Sequence, residues 1–121
     1  MAATAIAEQV VAGPYVAESG TQMTTVTFTA ADATNGNEIV MTTGRTLVIV
    51  FNTHGSTAGT VTVTSSADPY GRTANVTAFS VAASAFAARI FTPVGWEQTL
   101  GGRNLLITGS ATTMKILAIP L

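Results

Sequence analysis

The chain has 121 residues, 22 of them Thr and 20 Ala, with 11 charged side chains, one His, no Cys and a net charge of −1. That length suits one domain of about 100–150 residues, and the absence of Cys excludes a disulfide framework, a thiolate zinc site and a cysteine nucleophile. The near-neutral charge excludes the Lys- and Arg-lined groove that nucleic acid requires, since Arg45, Arg72, Arg89, Arg103 and Lys115 each lie in a different segment.

The first 20 residues read as an extended N-terminal arm. Their apolar anchors are Ile6, Val10, Val11, Tyr15 and Val16, and the Gly13-Pro14 step opposes a helix. Residues 1–12 lack the basic and continuous apolar regions of a signal peptide, so the chain is expected to be soluble and unprocessed. The longest apolar runs, 46–51 and 116–121, are far shorter than the roughly 18–20 residues of a membrane helix. No membrane role is expected.

From residue 21 to 121 a period of two dominates and predicts a single β-sandwich domain. Residues 23–30 place Val26, Phe28 and Ala30 on one face and Thr25, Thr27 and Thr29 on the other. The Asn35-Gly36 turn precedes an extended piece at 38–42. Next comes Leu47-Val48-Ile49-Val50-Phe51, apolar at every position, which predicts a central strand covered on both faces. Alternation returns at 60–65, and further strands are predicted at 75–81, 85–92, 96–100, 104–108 and 112–119. The spacing of these short strands near ten residues predicts an all-β, antiparallel sandwich, of which a jelly roll is one form; a small barrel is the alternative.

Candidate sites are few. His54 stands alone in a loop, with no Asp or Glu within ten residues, and reads as solvated. Ser56, His54 and Asp68 lack the Gly-x-Ser-x-Gly elbow of a hydrolase. Asp68 and Glu97 adjoin aromatic residues, as a glycosidase pair would, but Asp68-Pro69-Tyr70-Gly71 matches a type I turn that Asp68 caps. Trp96, following a turn, reads as core. No catalytic residue, metal site or cofactor is expected. Arg45 and Arg72 lie in Gly-containing loops where a guanidinium can grip a neighbouring chain, and Asp68, Tyr70 and Arg72 form a polar knob. At 9%, charge is well below the usual value of about 25%. Thr-coated strand faces are therefore easy to bury against another protein.

The order of features from 37 to 121 carries a resemblance. An apolar strand ends in Phe51-Asn52-Thr53, followed by Gly59-Thr60-Val61-Thr62-Val63-Thr64-Ser65 and then Asp68-Pro69-Tyr70-Gly71-Arg72. Beyond these come Phe91-Thr92-Pro93 with Trp96, and the terminal Lys115-Ile116-Leu117-Ala118 strand. This pattern resembles the small structural proteins of tailed bacteriophages encoded near capsid genes, and among them the head decoration, or cement, proteins. The resemblance implies a non-enzymatic β-sandwich made in the host cytoplasm and carried on the outer surface of the virion capsid. Its implied partners are the major capsid protein and copies of itself, as a homotrimer at threefold and quasi-threefold positions. Candidate interface residues are Ile6, Val10, Val11, Tyr15, Arg45, Asp68, Tyr70 and Arg72. The competing expectation is a carbohydrate- or receptor-binding module of a phage tail or fibre, with Trp96, Tyr70 and Tyr15 as its platform.

Overall fold

Alternation along the apolar run at 46–52 sets the architecture. In a computed structural model that describes residues 3–12 and 23–121, strand β4 (Thr46–Asn52) buries Thr46, Val48, Val50 and Asn52, and leaves Leu47, Ile49 and Phe51 half-buried. A period of two puts those two sets on opposite faces of one sheet. The described residues contain no helix and eight further strands: β1 (Thr4–Ile6), β2 (Thr29–Ala30), β3 (Asn37–Val40), β5 (Gly59–Val63), β6 (Val76–Val81), β7 (Phe86–Phe91), β8 (Asn104–Gly109) and β9 (Met114–Pro120).

The strands form two sheets, ordered β1-β3-β8-β5-β6 and β2-β9-β4-β7. All pairings are antiparallel except β1 with β3. Ile39, Val61, Val63, Leu105 and Ile107 of the first sheet share one core with Val48, Val50, Phe91, Met114, Ile116 and Ala118 of the second. The fold is an antiparallel β-sandwich, in agreement with the periodicity of the sequence.

Among the described residues three polar side chains are buried, and each has partners, as buried polar groups require. Asn52 donates through Nδ2 to the carbonyls of Thr57 and Val81, both at 3.0 Å, and accepts from the His54 amide. It thereby ties the end of β4 to the opposite sheet. Asn37 accepts from the Asp32 amide at 2.8 Å and donates to the Thr4 carbonyl at 3.3 Å. Thr46 donates its hydroxyl to Glu8.

The described part of the N-terminal segment lies on the domain. β1 extends the first sheet beside β3 and sinks Ile6 into the core at 3% exposure. The Glu8 carboxylate accepts from the Thr42 amide at 2.7 Å and from the hydroxyls of Thr42 and Thr46. Gln9 donates its backbone amide to the Ala118 carbonyl at 2.9 Å. Its side-chain amide meets both backbone groups of Thr27, donating at 2.6 Å and accepting at 2.9 Å. This side chain takes the place of a neighbouring strand, so only Thr29–Ala30 of the predicted 23–30 strand pairs as β2. Ala12 donates to Thr24 Oγ1 at 2.8 Å. The chain therefore leaves the described region at Ala12 and re-enters it close by.

Two expectations are corrected. Residues 96–100 form turns rather than a strand, because the Pro93 carbonyl accepts from the amides of Trp96 and Glu97, and Thr99 closes onto Gly102. The apolar run of β4 has only one fully buried face among the described residues.

The sheets approach closely at Gly109, where an added Cβ would stand 2.7 Å from Ala31 Cβ and 3.1 Å from Met114 Cβ. Neither atom is the end of a flexible chain, so Gly109→Ala should overpack this corner and cost about 1–3 kcal/mol. Urea unfolding with an unchanged m-value checks this. Wild-type stability would mean that the backbone parts here without strain.

Candidate functional site

The two sheets differ in what they turn outward. The outer face of the first carries Glu38, Asn104, Thr60, Thr62 and Thr108, with Val40 and Leu106. That of the second is built from Leu47, Ile49 and Phe51 on β4, Phe86, Ala88 and Ile90 on β7, and Ile119 on β9; Leu117 shares this side of β9 but is covered, at 2% exposure, and Lys115 is the charged residue among these strand positions. Register explains the clustering, since Phe51 pairs with Phe86, Ile49 with Ala88 and Leu117, and Leu47 with Ile90 and Ile119. The Phe51 and Phe86 rings stack with centroids 4.2 Å apart, and Phe28 meets them at 6.1 and 6.2 Å. Phe86 remains 60% exposed and Ile90 48%. The exposed part of this face therefore lies along β7, at Phe86, Ala88 and Ile90.

This face runs to the β7 edge, beside which the sandwich is open. A cleft of about 440 Å³ enters between β6 and β7 and reaches Val48, Val50, Val63 and Ile107 of the core. It exists because the inward positions near the β6–β7 connection are small, namely Ala85 and Ala87. At its mouth Arg89 lies over two rings, its guanidinium carbon 4.9 Å from the Trp96 centroid and 5.5 Å from that of Phe91. Trp96 in turn meets Phe91 edge-on at 4.8 Å and packs against the core. The expected core role for Trp96 agrees with this placement.

The predicted interface residues are dispersed. Ile6 belongs to the core and offers no surface on this domain. Val10 and Val11 are exposed, at 77% and 41%. Tyr15 lies outside the described residues. Arg45 is exposed in the β3–β4 turn, where its carbonyl accepts from the Leu121 amide and the Thr43 hydroxyl.

Asp68, Tyr70 and Arg72 do come together. Asp68 closes a turn by accepting from the Gly71 amide at its carbonyl, while Oδ1 accepts from the amides of Tyr70 and Arg72. Arg72 Nε donates to Oδ2 at 2.7 Å, the one ion pair among the described residues, and the guanidinium covers the Tyr70 ring at 5.2 Å. Tyr70 is still 83% exposed. Asp68 and Glu97 line a common depression with Leu100 and Val94. Glu97 is bonded to the amides of Gly101 and Arg103, so both carboxylates serve as turn caps. His54 Nδ1 likewise accepts from the amides of Ser56 and Thr57 and shapes its own loop. Among the described residues no group of His, Asp and Glu is arranged to hold a metal ion.

The apolar outer face was the feature that pattern reading missed. Its signal lies in the unbroken run at 47–51, a pattern that predicts cover on both faces. Comparison with family models, with curated proteins and with solved structures finds no match to this chain.

The Asp68 turn has a defined acid response. The Arg72 amide above all, with help from the Arg72 guanidinium and the Tyr70 amide, holds the Asp68 carboxyl below the ordinary carboxylate value, and together they outweigh the opposing effect of desolvation. A carboxyl depressed in the folded state stabilises the turn fully above its ordinary pKa near 3.9, and that contribution disappears as pH falls through the depressed value. Protection of the Tyr70 and Arg72 amides relative to intrinsic exchange should therefore fall below about pH 4, and Asp68→Asn should abolish this acid transition. An unchanged transition in the variant would assign it to another group.

Proposed function

We propose that this chain is a non-enzymatic virion structural protein that binds the outer surface of an assembled major capsid protein lattice as an oligomer and stabilises the head. The observation that carries the reading is the apolar outer face of the β2-β9-β4-β7 sheet, with Phe86 and Ile90 exposed. Burying such a face against protein costs little desolvation of charge, which also accounts for the scarcity of charged residues. The resemblance over residues 37–121 supplies the kind of partner.

Strand order supports the same reading at the level of architecture. Strands β2–β9 follow the order β2-β9-β4-β7 against β3-β8-β5-β6, and we infer a jelly roll, an architecture used by viral capsid and lectin domains. Architecture alone assigns no activity. The chemistry of the exposed face favours a protein partner over a sugar. Trp96, which a carbohydrate platform would use, is committed to Phe91 and Arg89.

The mechanism is mass action. A protein that binds only the assembled lattice stabilises it relative to free subunits. Joining copies of the chain raises the effective concentration of each weak contact.

Cosedimentation with expanded empty capsids tests the proposal. The wild type should saturate a fixed number of sites, and Ile119→Glu, at a half-buried position on the outer face of β9, should weaken binding by about tenfold or more while unfolding normally. Absence of cosedimentation with shells that lack their own outer protein would overturn it.

A further inference from the structure

A β-sandwich ends in four edge strands, and exposed edges are templates for another chain unless they are blunted. Three of the four are blunted here. β1 has three residues. β2 has two, and the Ala118 carbonyl beyond it is taken by Gln9. β6 shifts register against β5 between Val61 and Val63, and holds Ala78 at φ +46° with its amide donated to Thr62 Oγ1. β7 is different. It pairs with β4 without interruption from Phe86 to Phe91, and contains neither Pro nor Gly and one charge, Arg89.

The backbone parity of β7 follows from one bond. Asn52 donates its amide to the Ala85 carbonyl at 3.0 Å, across from it in the β4–β7 register. In an antiparallel pair, bonded positions alternate, so Ala85, Ala87, Arg89 and Phe91 turn their backbone groups toward β4. Phe86, Ala88 and Ile90 turn theirs to the open edge. These same three residues have their side chains on the outer apolar face.

We propose that β7 is a self-association edge: a second copy of this chain adds its own β7 antiparallel about a twofold axis at Ala88. Ala88 then faces Ala88 of the second copy, and Phe86 faces Ile90 in both directions. Each of the three residues donates and accepts one interchain hydrogen bond. The two second sheets merge into one continuous sheet with a single apolar outer face.

Self-complementarity is what selects a second copy as the occupant. The outward sequence Phe86-x-Ala88-x-Ile90 has bulk at both ends and a methyl in the middle, so it matches its own reverse. Centring the axis on Arg89 would set two guanidinium groups opposite each other, which is unfavourable across strands. Centring it on Ala87 would leave Ile90 facing Ser84, which lies beyond the strand at φ +60°. On the inner face, the Ala88 axis places Arg89 opposite Ala87, where there is room for it. The pairing stands on backbone geometry alone and does not require the lattice reading. It is also distinct from the trimer that the resemblance implies, because a twofold edge is satisfied by one partner.

Sedimentation velocity with amide exchange tests it. The wild type should sediment at twice 12.3 kDa at tens of micromolar, with protection at Phe86, Ala88 and Ile90 that rises with concentration. Ala88→Pro removes an outward amide without touching the β4 ladder, as edge strands tolerate, and should give a folded monomer. Should that variant misfold, Ala88→Cys provides the second measurement. Directly opposed residues in a bonded pair have Cα atoms about 5.5 Å apart, within disulfide range. With no other Cys in the chain, oxidation should yield covalent dimer far faster than for Thr77→Cys on β6. A monomer, a trimer, a dimer that survives Ala88→Pro, or equal cross-linking at both cysteines would overturn the proposal. Loss of capsid binding with an intact dimer would overturn the lattice reading and leave this one standing.

Discussion

The pairing of β4 with β9 on one side and β7 on the other is the constraint on which the rest of the structure depends. Seven consecutive positions of β4 are in register with β9 and six with β7. Once these ladders form, strict alternation decides the destination of every apolar side chain on the three strands. Val48, Val50, Ile116 and Ala118 must enter the core together. Leu47, Ile49 and Phe51 must turn to the opposite face together, with Leu117, which is covered there. A slip of one residue would exchange the two sets, and the buried bonds of Asn52 and Thr46 at the two ends of β4 oppose such a slip.

The apolar outer surface is a by-product of that geometry. A strand apolar on both faces needs cover on both, and the opposing sheet covers only one. The first sheet shows what a solvated outer face looks like in this chain, with Thr60, Thr62 and Thr108 in half-buried positions. The second departs from it by placing Phe, Ile and Leu at equivalent outward positions. Such a conflict between a local pattern and solvent exposure is expected where a protein binds something. The scarcity of charge is consistent with the proposed protein partner, since charge near a surface buried on binding adds a desolvation cost.

Polar side chains are spent on anchoring the ends of the sandwich. Glu8 joins the N-terminal segment to the β3–β4 turn, Asp32 and Asn37 organise the turn before β3, and Asp68 and Glu97 cap theirs. Asp32 is held below the ordinary carboxylate value chiefly by the Thr4 hydroxyl, with help from the Asn35 amide. The carboxylates that drew attention as possible catalysts are accounted for by backbone amides in their own loops. The Asp68-Pro69-Tyr70-Gly71 turn was legible because each residue type has a local mechanical reason to be there.

By itself, the sequence determined the all-β class, the β4 to β9 strand positions apart from the 96–100 turn, and the Asp68 turn. These depend on period-two patterning and on the short-range preferences of Asp, Pro, Asn and Gly, which act within a few residues. Tertiary structure alone decided which strands became neighbours, that Ile6 is core, that Gln9 substitutes for a strand beside Thr27, and that one face of β4 is left half-buried outside the core. Each of these joins residues distant in the chain, and no local preference encodes a partner tens of positions away. The scarcity of charge on this Thr- and Ala-rich chain therefore acquired its meaning only when the sheets assembled and placed the apolar residues of β4, β7 and β9 on one outward face.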